Sequence, residues 1–83
     1  MSSHKKMLQK ILSGLADKNV SFVELRHLLL HFGFEERVSG SHHIFRKAGI
    51  EEKINIQRDG NKAKPYQVRQ VRGVFLKYML GAE

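Results

Sequence analysis

Gly40-Ser41-His42-His43-Ile44-Phe45 is a turn running into a β-strand, and it sets the strands on either side. Glycine followed by serine punctuates the chain. Upstream, Phe34 to Ser39 begins with alternation and forms a first strand; His42 to Lys47 forms a second. Ala48 to Glu52 links to a third, Lys53 to Gln57, in which Ile54 and Ile56 point to one face and Asn55 and Gln57 to the other. Connections this short favour an antiparallel meander.

Helical patterns flank the strands. Ser21-Phe22-Val23-Glu24 is a capping-box signature: a serine at the N-cap and a glutamate three residues on satisfy orphan backbone donors. The helix behind it carries Phe22, Leu25, Leu28, Leu29 and Phe32 at helical spacing, and Gly33 is a natural stop. Pro65 suits the first turn of a last helix, whose expected apolar stripe is Val68, Val71, Phe75, Leu76 and Met79, with Gly81 at its end. Before Ser21, His4 to Leu15 reads as a short amphipathic helix with Leu8, Ile11, Leu12 and Leu15 on one face, although Gly14 is able to close it early. The expected fold is therefore α+β: helix, three antiparallel strands, helix, with the helices on one sheet face and an extra helix at the N-terminus.

Eighty-three residues make one small domain. Hydrophobic residues at 41% and charged residues at 28% fit a folded chain rather than a disordered one. There is no cysteine, which excludes disulfides and thiolate metal sites and suits a reducing cytoplasm. No apolar run approaches the roughly 18 residues needed to cross a bilayer, and the first ten residues lack the apolar core of a signal peptide. Lys and Arg total 15 against 8 acidic residues, a formal charge of +7. That excess attracts nucleic acid, an anionic membrane surface or an acidic protein, and does not choose among them.

Histidine takes and gives protons near neutral pH, with an unperturbed pKa of about 6.5. His42 and His43 are adjacent, so in a strand they face opposite ways and do not act as a pair on one atom. An exposed strand histidine is more often an ordinary surface residue. Here Gly40 permits close approach of a phosphate, and Ser41 offers a hydroxyl donor to it. Arg58 to Lys64 is a basic loop entering a helix N-terminus, where Lys62 and Lys64 suit phosphate contact; a solvated loop is the plain alternative. His27 and His31, four apart on a helix, lack a third ligand and read as a partly exposed helix face. There is no phosphate-binding glycine loop of the P-loop type and no acidic cluster of a metal nuclease, so a nuclease here is expected to work without metal.

The order of elements, together with Gly33-Phe34, Gly40-Ser41-His42-His43-Ile44-Phe45, Ile54-Asn55-Ile56-Gln57 and the run Lys62-Ala63-Lys64-Pro65-Tyr66-Gln67-Val68-Arg69-Gln70-Val71, resembles the HicA family of bacterial and archaeal toxins. The resemblance runs from about Ser21 to Gly81. It implies a fold like a double-stranded-RNA-binding domain over residues 1–83, with 1–20 as an N-terminal helical extension. It implies an mRNA interferase of a type II toxin–antitoxin system whose catalytic residue is the histidine directly after Gly-Ser, here His42. Ser41, His43, Lys62 and Lys64 are the expected RNA contacts. The implied partners are mRNA and a HicB-type antitoxin that covers the cleaving surface, with no small-molecule cofactor and no membrane. Two other readings are a non-catalytic RNA-binding module of the same fold and a DNA-binding regulator presenting Arg69 and Arg72 from the last helix.

Overall fold

A computed structural model describes residues 3–81. In chain order the elements are α1 (Ser3–Ser13), a short 3-10 turn (Asp17–Asn19), α2 (Phe22–His31), β1 (Glu35–Ser39), β2 (His42–Lys47), β3 (Ile50–Ile56), β4 (Arg58–Asp59), β5 (Lys62–Ala63) and α3 (Pro65–Lys77). The expected α+β fold is present: β1, β2 and β3 form an antiparallel sheet in that order. None of the helices among the described residues is long and apolar enough to cross a membrane.

Each element starts or stops for a local reason. Ser21 Oγ accepts from the Glu24 N–H at 3.2 Å and opens α2. Pro65 stands in the first turn of α3, where its missing N–H costs nothing. The β1–β2 loop is Gly40-Ser41 alone, with Gly40 at φ +60; glycine at the first central position is what a type II′ hairpin turn requires.

Several elements differ from expectation. Gly14, at φ +71, ends α1 at Ser13, so Leu15 falls outside the helix and is 91% exposed. The buried face of α1 is Met7 and Ile11, and Leu12 is exposed. Ala48 to Glu52 is not a linker: Ala48-Gly49 turns the chain, with Gly49 at φ +87, and β3 begins at Ile50. The basic stretch from Arg58 is a small hairpin in which β4 pairs with β5 around Gly60 and Asn61. The α3 helix ends at Lys77 with Tyr78 as its cap, before Gly81. Its buried stripe is Val68, Val71, Val74 and Phe75, so Leu76 (60%) and Met79 (71%) face outward.

The core lies on one face of the sheet. Phe45, Ile50, Ile54 and Ile56 meet Phe22, Leu25 and Leu29 of α2 and Val71 and Phe75 of α3 in one cluster, which Met7, Ile11 and Val20 join from the N-terminal segment. Each such side chain contributes about 1.5–3 kcal/mol of apolar burial. The segment before α2 is also tied by polar bonds. Arg72 binds Asp17 through both amino groups (2.8 and 3.1 Å) and the Ile11 carbonyl at 3.1 Å. Among the described residues the other sheet face carries no helix.

Candidate active site

β2 has identical expected and observed limits, and its alternation separates the two histidines. His43 shares a face with buried Phe45, whereas His42 shares the open face with Ile44 and Arg46.

His42 is exposed at the first position of β2. Its Nδ1 lies beside the Asn55 side-chain amide, 3.1 Å from Nδ2 and 3.3 Å from Oδ1. Asn55 belongs to β3 and is opposite Ile44, so its side chain reaches two residue positions along the sheet to the imidazole. Nε2 has no partner among the described residues. An amide beside one ring nitrogen orients the imidazole and leaves the other nitrogen for chemistry; with Nδ1–H donating to Asn55 Oδ1, the lone pair is on Nε2.

A second set of polar bonds supports the turn in front of His42. Gln67 of α3, 2% exposed, accepts from the Gln57 backbone N–H at 2.6 Å and donates to Gln57 Oε1 at 3.2 Å. Gln57 Nε2 in turn donates to Ser41 Oγ at 3.4 Å. The first turn of α3 thus connects through the end of β3 to the Gly40-Ser41 turn. Neither Asn55, Gln57 nor Gln67 was expected at the site. The alternation of Ile54-Asn55-Ile56-Gln57 already marks the first two as open-face residues; what it lacks is the register that sets them beside His42.

The remaining expected contacts are placed apart. His43 lies on the helix-covered face, with Nδ1 2.7 Å from Glu36 Oε2 and its ring edge-on to Phe22 at 4.8 Å. Arg26 Nε binds both oxygens of the same carboxylate, at 2.9 and 2.8 Å. The Arg26 guanidinium holds the Glu36 carboxyl below the usual carboxylate range; partial burial opposes this and His43 adds to it. Lys62, in β5, donates to Asn19 Oδ1 at 2.7 Å. Lys64 is the half-buried N-cap residue of α3. His31 stacks on His4, ring centroids 4.2 Å apart. Among the described residues no three His, Cys, Asp or Glu side chains gather as a metal-ligating group. Phe45 is fully buried and offers no stacking surface. Arg72, half of the expected DNA-reading pair, is engaged with Asp17.

A family model described as HicA toxin of bacterial toxin-antitoxin matches residues 23–79. No curated protein and no solved structure is significantly similar to the chain.

Proposed function

Since the chain belongs to the HicA toxin family, and is by that membership the toxin of a toxin–antitoxin system with a cognate antitoxin as partner, we propose that it is an endoribonuclease acting on mRNA with His42 as its catalytic residue. Toxins of this family are generally ribonucleases. The observation that carries the reading is the placement of His42: exposed, held at Nδ1 by Asn55, and, among the described residues, on the sheet face that no helix covers and unpartnered at Nε2.

RNA carries its own nucleophile, the 2′-hydroxyl. With Nδ1–H donating to Asn55 Oδ1, His42 Nε2 removes that proton, the oxygen attacks the adjacent phosphorus, and the 5′-oxygen leaves with a proton taken from water or from the same imidazolium. The products are a 2′,3′-cyclic phosphate and a 5′-hydroxyl. A positioned base contributes typically 10²–10⁴-fold. The Ser41 hydroxyl stands one residue from the base and is free to turn from Gln57 to a phosphate oxygen. Lys64 and Lys62 add positive charge at the α3 entrance, Lys62 after release from Asn19. His43 holds β2 from behind, through Glu36. The antitoxin neutralises the toxin by covering the open face.

The test is incubation of purified protein with a defined mRNA, with and without EDTA, beside His42→Ala. Cutting that survives EDTA, produces cyclic phosphate ends and is lost in the variant is the expected outcome. Equal cutting by variant and parent removes His42 from the chemistry. RNA binding by the parent without any loss of full-length RNA supports the non-catalytic module instead.

A further inference from the structure

The cations of this chain fall into two groups. One group is bound within the fold: Arg26 to Glu36, Arg72 to Asp17, Lys77 to Glu52, Lys62 to Asn19, and Arg58 over the Phe22 ring at 4.5 Å. The other group makes no ion pair or side-chain hydrogen bond among the described residues, and three of its members, Arg37, Arg46 and Lys53, stand on the same sheet face as His42. Each is exposed, and none makes an ion pair or side-chain hydrogen bond with the described residues.

The register arranges that face in rows. Ser39 and His42 form the first, Arg37, Ile44 and Asn55 the second, and Glu35 and Arg46 the third, with Lys53 two residues along β3 from Asn55. Arg37, Ile44, Arg46 and Lys53, with Glu35 and Glu36, line a shallow groove of about 490 Å³ in which Ile44 is the apolar residue. From His42 to Arg46 is four residues, or about 13 Å along the strand, and the three strands span about 10 Å across. That strip accommodates one nucleic-acid backbone rather than a duplex. The exposed carboxylates of the face, Glu35 and Glu51, belong to the end away from His42.

We propose that the open sheet face is a phosphate track, carrying a single RNA strand from His42 past Arg37 to Arg46 and Lys53, with Glu35 and Glu51 closing its far end. The proposal rests on the ribonuclease reading for the identity of the ligand. It adds where the strand lies and which side chains hold it: phosphates meet the three free cations, and Ile44 supplies an apolar surface for a base. The track is short, a few phosphates, which suits a nuclease that needs a flexible strand over its histidine.

The experiment measures binding of a fluorescent 2′-O-methylated single-stranded RNA to the full chain as a function of salt. That RNA lacks the nucleophile and stays intact whether or not His42 is the base, so failure of the cleavage reading and failure of the track are seen separately. Single-strand binding falls with salt at a log–log slope of about −0.7 per phosphate neutralised. The triple variant Arg37→Gln/Arg46→Gln/Lys53→Gln is expected to flatten the slope by about 2, and each single variant by about 0.7. A control that removes the same charge elsewhere, Lys5→Gln/Lys6→Gln/Lys18→Gln, is expected to leave the slope as in the parent. Thermal melts confirm that the variants fold; should the triple variant not, the three singles carry the test. Equal flattening by both triplets means diffuse attraction and overturns the track. An unchanged slope in the open-face triplet, with loss of binding to the cognate antitoxin, makes the face a protein surface and overturns it too.

Discussion

The two faces of the three-stranded sheet are made from alternate residues of the same strands, yet their polar groups are treated in opposite ways. On the covered face, the carboxylates next to the core are matched: Glu36 receives Arg26 and His43, and Glu52 receives Lys77 and the Tyr78 hydroxyl. On the open face, among the described residues, His42 keeps one ring nitrogen unpartnered and Arg37, Arg46 and Lys53 stand without ion-pair or hydrogen-bond partners. A domain this small has little core to spare. Period-two alternation lets it commit one side of each strand to stability and leave the other side for a ligand. The adjacent histidines are the sharpest instance, since a single step along the chain separates a candidate base from a packing residue.

The largest expected break in this comparison comes from replacing each histidine. His42→Ala lowers cleavage by about 10²–10⁴-fold and leaves stability within about 0.5 kcal/mol, as for other exposed sites. His43→Ala does the reverse: it removes one of the two partners of Glu36 and the edge contact on Phe22 and destabilises by about 1–2 kcal/mol, while folded protein cuts at close to the parent rate. Denaturant unfolding and an RNA gel on the same samples read both quantities. Loss of cleavage in a fully folded His43→Ala protein would mean the faces are not insulated.

Next in size is Ile54→Ala, on the fully buried side of β3. It is expected to destabilise by about 2–5 kcal/mol, the range for truncating a large aliphatic core residue. Unfolding midpoints report it directly. A cost below about 1 kcal/mol would show that the core collapses around the gap.

The matched carboxylates predict an acid limb. Asp17 and Glu36 are held below their ordinary values chiefly by hydrogen bonds from Arg72 and Arg26, and Glu52 is held down at about 2 by Lys77 and Tyr78. As pH falls, the unfolded chain binds these protons first. Their stabilisation is therefore complete above the ordinary carboxylate range, is lost as pH descends through the folded values, and does not change near neutrality on their account. Glu36→Gln tests one of them: the stability difference from the parent is largest at neutral pH and shrinks below about pH 4.5. A difference that grows on acidification would mean Glu36 is not the stabilising anion.

Much of this was legible in the chain because it is encoded locally. The serine cap of α2, the Gly40-Ser41 turn, the limits of β2, the proline start of α3 and the faces of Ile54 to Gln57 each depend on residues within a few positions. What escaped depends on distance in sequence or on small rotations. Asn55 meets His42 across 13 residues, Lys62 meets Asn19 across 43, and Arg72 meets Asp17 across 55; no local pattern carries such pairings. The apolar residues of α1 and α3 fit more than one face, and a stop at Gly14 or Lys77 decides which of them are buried. The basic stretch at Arg58 to Lys64 looked like a loop because two-residue strands leave too little alternation to see.

The smallest expected effect is the most specific to the open face. Asn55 bonds His42 at Nδ1, so it acts on the chemistry through the imidazole. A hydrogen bond of this kind contributes about 1 kcal/mol, and Asn55→Ala should therefore cut several-fold more slowly, by a lower kcat with KM nearly unchanged. Its partial exposure keeps the stability cost small, which separates it from its neighbour Ile54. Asn55→Asp supplies the readout that a merely structural role would not move. A carboxylate beside Nδ1 favours the protonated ring, and a base works only when deprotonated, so the rising limb of the pH–rate profile moves to higher pH. If both variants cut at the parent rate with the parent profile, the sheet backbone alone orients His42, and the polar partners of the open face belong to the ligand rather than to the base.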